Sequence, residues 1–219
     1  MSISFNSSSL SRELVISRYN EDLNWTKYID CFNVIKIYNK GNDIEYPYLQ
    51  LENINREAHT WFYHIVTNYY NLADITVFSQ GNPFDHMIGS IHDKKQRQPG
   101  DVITAENIND KLNAVQIPDT GYTPLLHYLD AGEFSAGDTT ISSLLYTVLF
   151  EGLESEPIIV PGAQFIVMKE NIQSKSYDFY KNNLDRLSIN RYAWNDTVFN
   201  PWSYESMWHY IFNKNILEK

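Results

Sequence analysis

The sequence predicts one α/β domain, with a mostly parallel central sheet flanked by helices, and three observations predict it. Short apolar, β-branched runs alternate with helical patterns over the first eighty residues, the order of consecutive β-α-β units. The best helical pattern lies between two such runs, so the flanking strands pair in parallel through a right-handed crossover. A chain of 219 residues, 43% hydrophobic and 20% charged, suits one substantial core, and it carries no repeat and no linker.

Residues 1–12 are expected to be a flexible N-terminus, and 13–219 a single domain with halves of about 13–90 and 91–219. Glu13–Arg18 (ELVISR) reads as the first strand, and Glu21–Asp30 as a short helix. Val34–Tyr38 (VIKIY) reads as a second strand, stopped by the turn signal Asn39-Lys40-Gly41, with a loop over Asn42–Leu51. A helix begins near Asn53 or Asn55, either of which can cap it. Its apolar face is Ala58, Trp61, Phe62, Ile65, Val66 and Tyr69. Asp74–Ser79 (DITVFS) is the third strand and ends in Gln80-Gly81-Asn82-Pro83. His92–Asp101 reads as a polar, locally basic loop, and Asp119–Asp138 as a long loop with a short helix. Helices over Thr140–Phe150 and Lys169–Leu187, a strand over Ala163–Met168 and an aromatic helix over Tyr204–Phe212 complete the chain.

The formal net charge of −10 argues against strong non-specific binding of nucleic acid. Lys94–Arg97 (KKQR) is the one basic cluster, and it reads as a solvated loop. A single cysteine, Cys31, excludes an intrachain disulfide and a cysteine-rich metal site, and reads as a small buried apolar residue. With no apolar signal core and no run long enough to span a bilayer, a soluble, cytoplasmic protein without membrane partners is expected.

Three polar clusters follow the first three strands: Arg18, Asn20, Glu21 and Asp22; Asn39-Lys40-Gly41; and Gln80-Gly81-Asn82 with Asp85 and His86. Parallel strands bring such ends to one edge, where open α/β proteins bind ligands. The helix start NINREAHT adds free N–H groups for an anion. Arg56 can supply a bidentate contact, and His59 is either a pocket wall or a wet flank. Glu57 reads as a first-turn acid and His64 as structural. Asp85 and His86 can hold a divalent cation beside a diphosphate, or serve a turn. Glu205 stands on an aromatic helix whose buried side is Trp208, Ile211 and Phe212. It is either a general base of raised pKa or an exposed helix acid. No nucleophile elbow, P-loop or dinucleotide fingerprint is present.

The segments LVISRYNEDLNW, IYNKG, NREAHTWFYHIVTNYYNLADITVFSQGNPFDH, GAQFIVMKENI and ESMWHYIF together resemble the domain-of-unknown-function family 3431. Its members resemble glycosyltransferases of the A-type fold. The resemblance implies a nucleotide-diphospho-sugar transferase-like domain with a donor half at about 13–90 and an acceptor half at about 91–219. It implies a nucleotide-sugar donor contacted by Arg18, Asn20, Glu21, Asn39, Lys40, Arg56, His59 and Gln80. The sequence departs from the acidic Asp-x-Asp motif that binds manganese in such enzymes: Gln80, Asp85 and His86 stand in its place. A manganese or magnesium ion at Asp85 and His86 therefore stays an open option. Pro161–Phe165 (PGAQF) and Glu205 are similar in order to a strand and catalytic Glu of metal-independent relatives. This implies Glu205 as the base of an inverting reaction, ahead of Asp85, with Gln164 and Trp208 at the acceptor.

The resulting expectation is transfer of a sugar to a hydroxyl on a glycan, a small molecule or a modified nucleobase. The alternative is a non-catalytic nucleotide or nucleotide-sugar binder, such as a viral decoy. A metal-dependent phosphodiesterase at Asp85 and His86 is the third option.

Overall fold

A computed structural model of the chain describes residues 2–5, 7–85, 103–125, 139–150, 162–191 and 198–219. Its strands are β1 (Ile3–Ser4), β2 (Arg12–Arg18), β3 (Val34–Asn39), β4 (Leu49–Gln50), β5 (Ile75–Gln80), β6 (Gln116–Ile117), β7 (Tyr122–Pro124) and β8 (Phe165–Met168). Its helices are α1 (Arg56–Asn68), α2 (Ile108–Asn113), α3 (Thr139–Leu149), α4 (Lys169–Ile172), α5 (Tyr177–Ile189), α6 (Pro201–Glu205) and α7 (Trp208–Ile211).

Six strands form one mixed sheet in the order β4-β3-β2-β5-β8-β7. The first four run parallel, whereas β8 is antiparallel to both its neighbours. Both faces are covered, which is why the strands read as nearly continuous apolar runs. Alternation sorts their side chains: Val15, Tyr38, Phe78 and Phe165 enter one cluster, and Leu14, Ile16, Ile37, Val77 and Ile166 the other. The first face carries α1, which packs on α5 and α6. The apolar stripe expected on α1 is there, with Ala58, Trp61, Phe62 and Ile65 buried.

Between α1 and the sheet runs a polar ladder. Glu13 Oε1 accepts from Thr76 Oγ1 at 3.0 Å and His64 Nε2 at 3.2 Å, and Lys36 Nζ lies 3.0 Å from its Oε2. The Tyr38 hydroxyl bonds His64 Nδ1 at 3.0 Å, and Ser17 bonds Thr60 at 2.9 Å. Burial raises the Glu13 carboxyl, but bonds from His64 and Lys36 outweigh it and hold it below the usual carboxylate range. Burial lowers the His64 imidazole, which stays neutral. The structural reading of His64 agrees with this arrangement.

Several expectations need correction. The described residues of the expected flexible N-terminus, 2–5 and 7–12, are not a loose tail: β1 pairs with β6, and Phe5 is fully buried. The helix expected over Glu21–Asp30 is a short 3-10 turn, Asn24–Tyr28. The Asn42–Leu51 loop contains β4, and the Asp119–Asp138 loop begins with β7. Lys169–Leu187 is two helices, because Ser176 caps a fresh start: its side chain accepts from Phe179 N at 3.1 Å. The last aromatic helix is likewise split into α6 and α7. His92–Asp101, with Lys94–Arg97, lies outside the described residues. No helix among the described residues is long and apolar enough to cross a membrane.

Candidate functional site

The register of the parallel strands brings their carboxyl ends together, with Arg18 opposite Asn39 and Ser17 opposite Gln80. Antiparallel β8 begins at the same edge, Phe165 facing Phe78. Gln164 thereby joins polar clusters that lie far from it in sequence.

At the β2 and β3 ends the polar side chains brace each other. Arg18 is buried, and its Nε donates to the Glu21 carbonyl at 2.9 Å. Its NH1 donates to Asn39 Oδ1 at 2.7 Å and to the Tyr19 and Asn42 carbonyls at 3.0 Å each. Asn39 Nδ2 donates to the Asn42 carbonyl at 2.9 Å, and Asn20 Oδ1 accepts from Asn42 N at 3.1 Å. Glu21 Oε2 accepts from Tyr19 N at 2.6 Å. Gly41 permits this close approach of the loops, since a Cβ there would stand 1.5 Å from the Tyr19 carbonyl oxygen. Arg18 and Asn39 thus shape the site from beneath. Between the loops opens a cavity of about 530 Å³, lined by Arg18, Asn20, Glu21, Lys27, Glu45 and Tyr46 among others. That volume falls in the range of small-molecule sites.

The start of α1 is unusual. Asn55 and Arg56 both have φ of 47°, left-handed and costly for residues with a Cβ. Two contacts hold the backbone there. Lys40 Nζ donates to the Ile54 carbonyl at 2.8 Å and to the Arg56 carbonyl, and Asn55 Nδ2 donates to the Leu187 carbonyl at 2.5 Å. Lys40 is therefore a buried ammonium fixed under the helix start. Burial lowers its pKa to about 7, with Glu57 pulling the other way. His59, one turn on, is also buried, and its Nδ1 has no hydrogen-bond partner among the described residues. Burial, and then the charges of Lys40 and Arg191, bring His59 down to about 3, so the ring is neutral.

Glu57 joins this group to β5 and α6. Its carboxylate accepts from Gln80 Nε2 at 2.6 Å and lies 3.6 Å from Arg56 Nε. The Arg56 guanidinium lies 5.6 Å from the Trp202 ring centre. Glu205, on the same short helix as Trp202, is half-buried. Burial, and then the negative charge of Glu57, raise its carboxyl to about 7, while Arg56 opposes. Arg56 is thus nearest to Glu57 and acts on Glu205 through its charge alone, so the two carboxylates stand in different environments, an arrangement that separates acid and base roles.

Gln164 and Trp208, also expected at the site, serve the frame around it. Gln164 is buried with its amide tied to the frame: Oε1 accepts from Ser79 Oγ at 3.0 Å and Gln80 N at 3.2 Å, and Nε2 donates to the Pro83 carbonyl at 3.2 Å. It locks the β5 loop in place. Trp208, expected at an acceptor, is a core residue 1% exposed, its ring among Phe62, Phe165, Tyr204 and Phe212. Asp85 ends a short turn, Pro83–Asp85, but its side chain and all of His86 lie outside the described residues. Among the described residues no three His, Cys, Asp or Glu side chains gather as a metal site. Sequence reasoning underrated Glu57, Trp202 and Arg191. A first-turn acid gives no local sign that it will meet a glutamine 23 residues later.

These features define an α/β domain with a polar site at the carboxyl ends of its parallel strands. The chain belongs to the family described as "Protein of unknown function (DUF3431)", whose model matches residues 14–218. No curated protein matches the sequence.

Proposed function

We propose that this protein is a glycosyltransferase that moves a sugar from a nucleotide-sugar donor to a hydroxyl of a glycan, small molecule or modified nucleobase. The supporting observation is Glu205, a carboxyl that burial and the charge of Glu57 raise to about 7, within the electrostatic reach of the Arg56–Glu57 pair. A base poised near neutrality is what deprotonation of an alcohol in an inverting displacement calls for. Glu205 takes the acceptor proton as the acceptor oxygen bonds the anomeric carbon. The bond from that carbon to the diphosphate breaks, and the nucleoside diphosphate leaves with the electron pair. The nucleoside occupies the cavity beside Tyr46, and Arg56 with Lys40 offsets the diphosphate charge. A manganese or magnesium ion is a second means of offsetting it.

Thermal unfolding against a panel of nucleotide sugars, with and without manganese, tests the donor. A donor at 100 times its Kd adds about 2.7 kcal/mol of stability. The shift is expected for wild type and Glu205→Gln and lost in Arg56→Ala, whereas product formation is lost in Glu205→Gln. No shift with any donor overturns the proposal. A shift without turnover on any acceptor favours a non-catalytic binder.

A further inference from the structure

A second cavity, of about 480 Å³, opens beside the loop that follows β2. Glu21, Asp22 and Asn24 line both cavities, but the walls differ. In the second, three aromatic rings from two places converge: Trp25 and Tyr28 on the 3-10 turn and Phe84 after β5. Trp25 is fixed, its Nε1 donating to the Gly81 carbonyl at 2.9 Å and its ring meeting Phe84 edge-on at 6.2 Å. Tyr28 is 50% exposed and offers ring surface to a ligand.

The polar groups are held as acceptors. Asp22 accepts from Asn24 N at 2.9 Å and Asn24 Nδ2 at 2.8 Å, which keeps its carboxylate ionised and oriented. Glu21 is pinned by Tyr19 N and by Gly81, where a Cβ would come within 2.6 Å of Glu21 Oε2. Each carboxylate keeps lone pairs for further donors. None of the described lining residues of this cavity is a lysine or arginine, whereas the first cavity has Arg18 and Lys27. Lys27, which donates to Asn24 Oδ1 at 2.6 Å, and Arg18 act on Asp22 from outside the described wall; within it two carboxylates disfavour phosphate and accept from hydroxyls, and exposed ring surface takes the apolar face of a sugar.

We infer that this cavity is a binding site for a neutral polyhydroxylated ring, a pyranose sugar, with its C–H face on Tyr28 and Phe84, Phe84 being backed by buried Trp25, and its hydroxyls donating to Glu21 and Asp22. The inference stands without the transfer reaction. It concerns a neutral saccharide in the cavity beside Tyr28, not a nucleotide in the cavity beside Tyr46.

Saturation-transfer NMR on the full chain tests it, with glucose, galactose, mannose and N-acetylglucosamine each at millimolar concentration, and glucose 6-phosphate as the charged comparison. Transfer to the ring C–H protons of at least one neutral sugar is expected. Binding should weaken at least about tenfold in Tyr28→Ala and in Asp22→Asn, which alter exposed side chains, and stay unchanged in Arg56→Ala. Glucose 6-phosphate should bind at least about tenfold more weakly than glucose. Circular dichroism confirms that the variants are folded. Absence of transfer from all four sugars overturns the inference, as does transfer indifferent to both variants, or phosphate-sugar binding as tight as glucose. Loss of donor shifts in Arg56→Ala leaves this result untouched, so the two proposals fail separately.

Discussion

Glu205 and Lys40 both have pKa values brought to about 7, from opposite directions, and each makes a prediction. For Glu205 the folded value exceeds the ordinary 4.5. The acid form favours folding, and that stability is present below pH 4.5 and lost as pH rises through 7. Glu205→Gln keeps a neutral group at all pH values. Urea unfolding should show it more stable than wild type at pH 8, by about 1–2 kcal/mol after allowance for solvent screening, and equal at pH 4. For Lys40 the folded value falls below the ordinary 10.5. An anion bound nearby raises it again, so binding above pH 7 takes up a proton. Affinity for inorganic pyrophosphate, followed by calorimetry, should fall as pH rises from 6 to 8.5. Buffers of different ionisation heat should reveal the uptake, and Lys40→Met should abolish both effects. The raised Glu205 was one of two readings its aromatic helix left open, whereas the Lys40 shift was not legible. NKG reads as a turn, and only the paired left-handed residues Asn55 and Arg56 explain why that lysine is pulled inside.

At the scale of elements, the strands and α1 were legible because their burial follows directly from periodicity. Strand direction was not: FIVM reads the same either way, and only the pairing of Ile75 with Met168 and Phe78 with Phe165 makes β8 antiparallel. Helix breaks were marked in the sequence by caps more than by periodicity. Asn200 accepts from Ser203 N at 3.0 Å with Pro201 at the first helical position, so α6 starts before the aromatic pattern does. Ser176 plays the same part for α5, and Ser176→Ala should cost about 1 kcal/mol in chemical denaturation, with Ser176→Asp close to neutral. Gly41→Ala should cost more, about 3 kcal/mol, because the added methyl meets backbone that closes two loops at once.

For the molecule as a whole, the ladder from Glu13 through His64 to Tyr38 joins β2, β3 and α1 across the main core. Its two titrating groups act in one direction. The unfolded chain protonates His64 below pH 6.5 and Glu13 below pH 4.5, where the folded protein resists both. His64 adds to the loss of stability below pH 6.5 that neutral His59 also causes, while Glu205 opposes both, so urea midpoints should fall less from pH 6.5 to 4.5 in His64→Phe than in wild type. The placement of β8 has a separate consequence for biosynthesis. Met168 follows Gln80 by 88 residues, so β5 is complete while its outer hydrogen-bonding groups have no strand to meet. At about 5–20 residues per second, the ribosome leaves that edge bare for about 4–18 s. A nascent or truncated chain ending near residue 90 should be a ready template for intermolecular pairing, and chaperone demand during synthesis should peak in that interval.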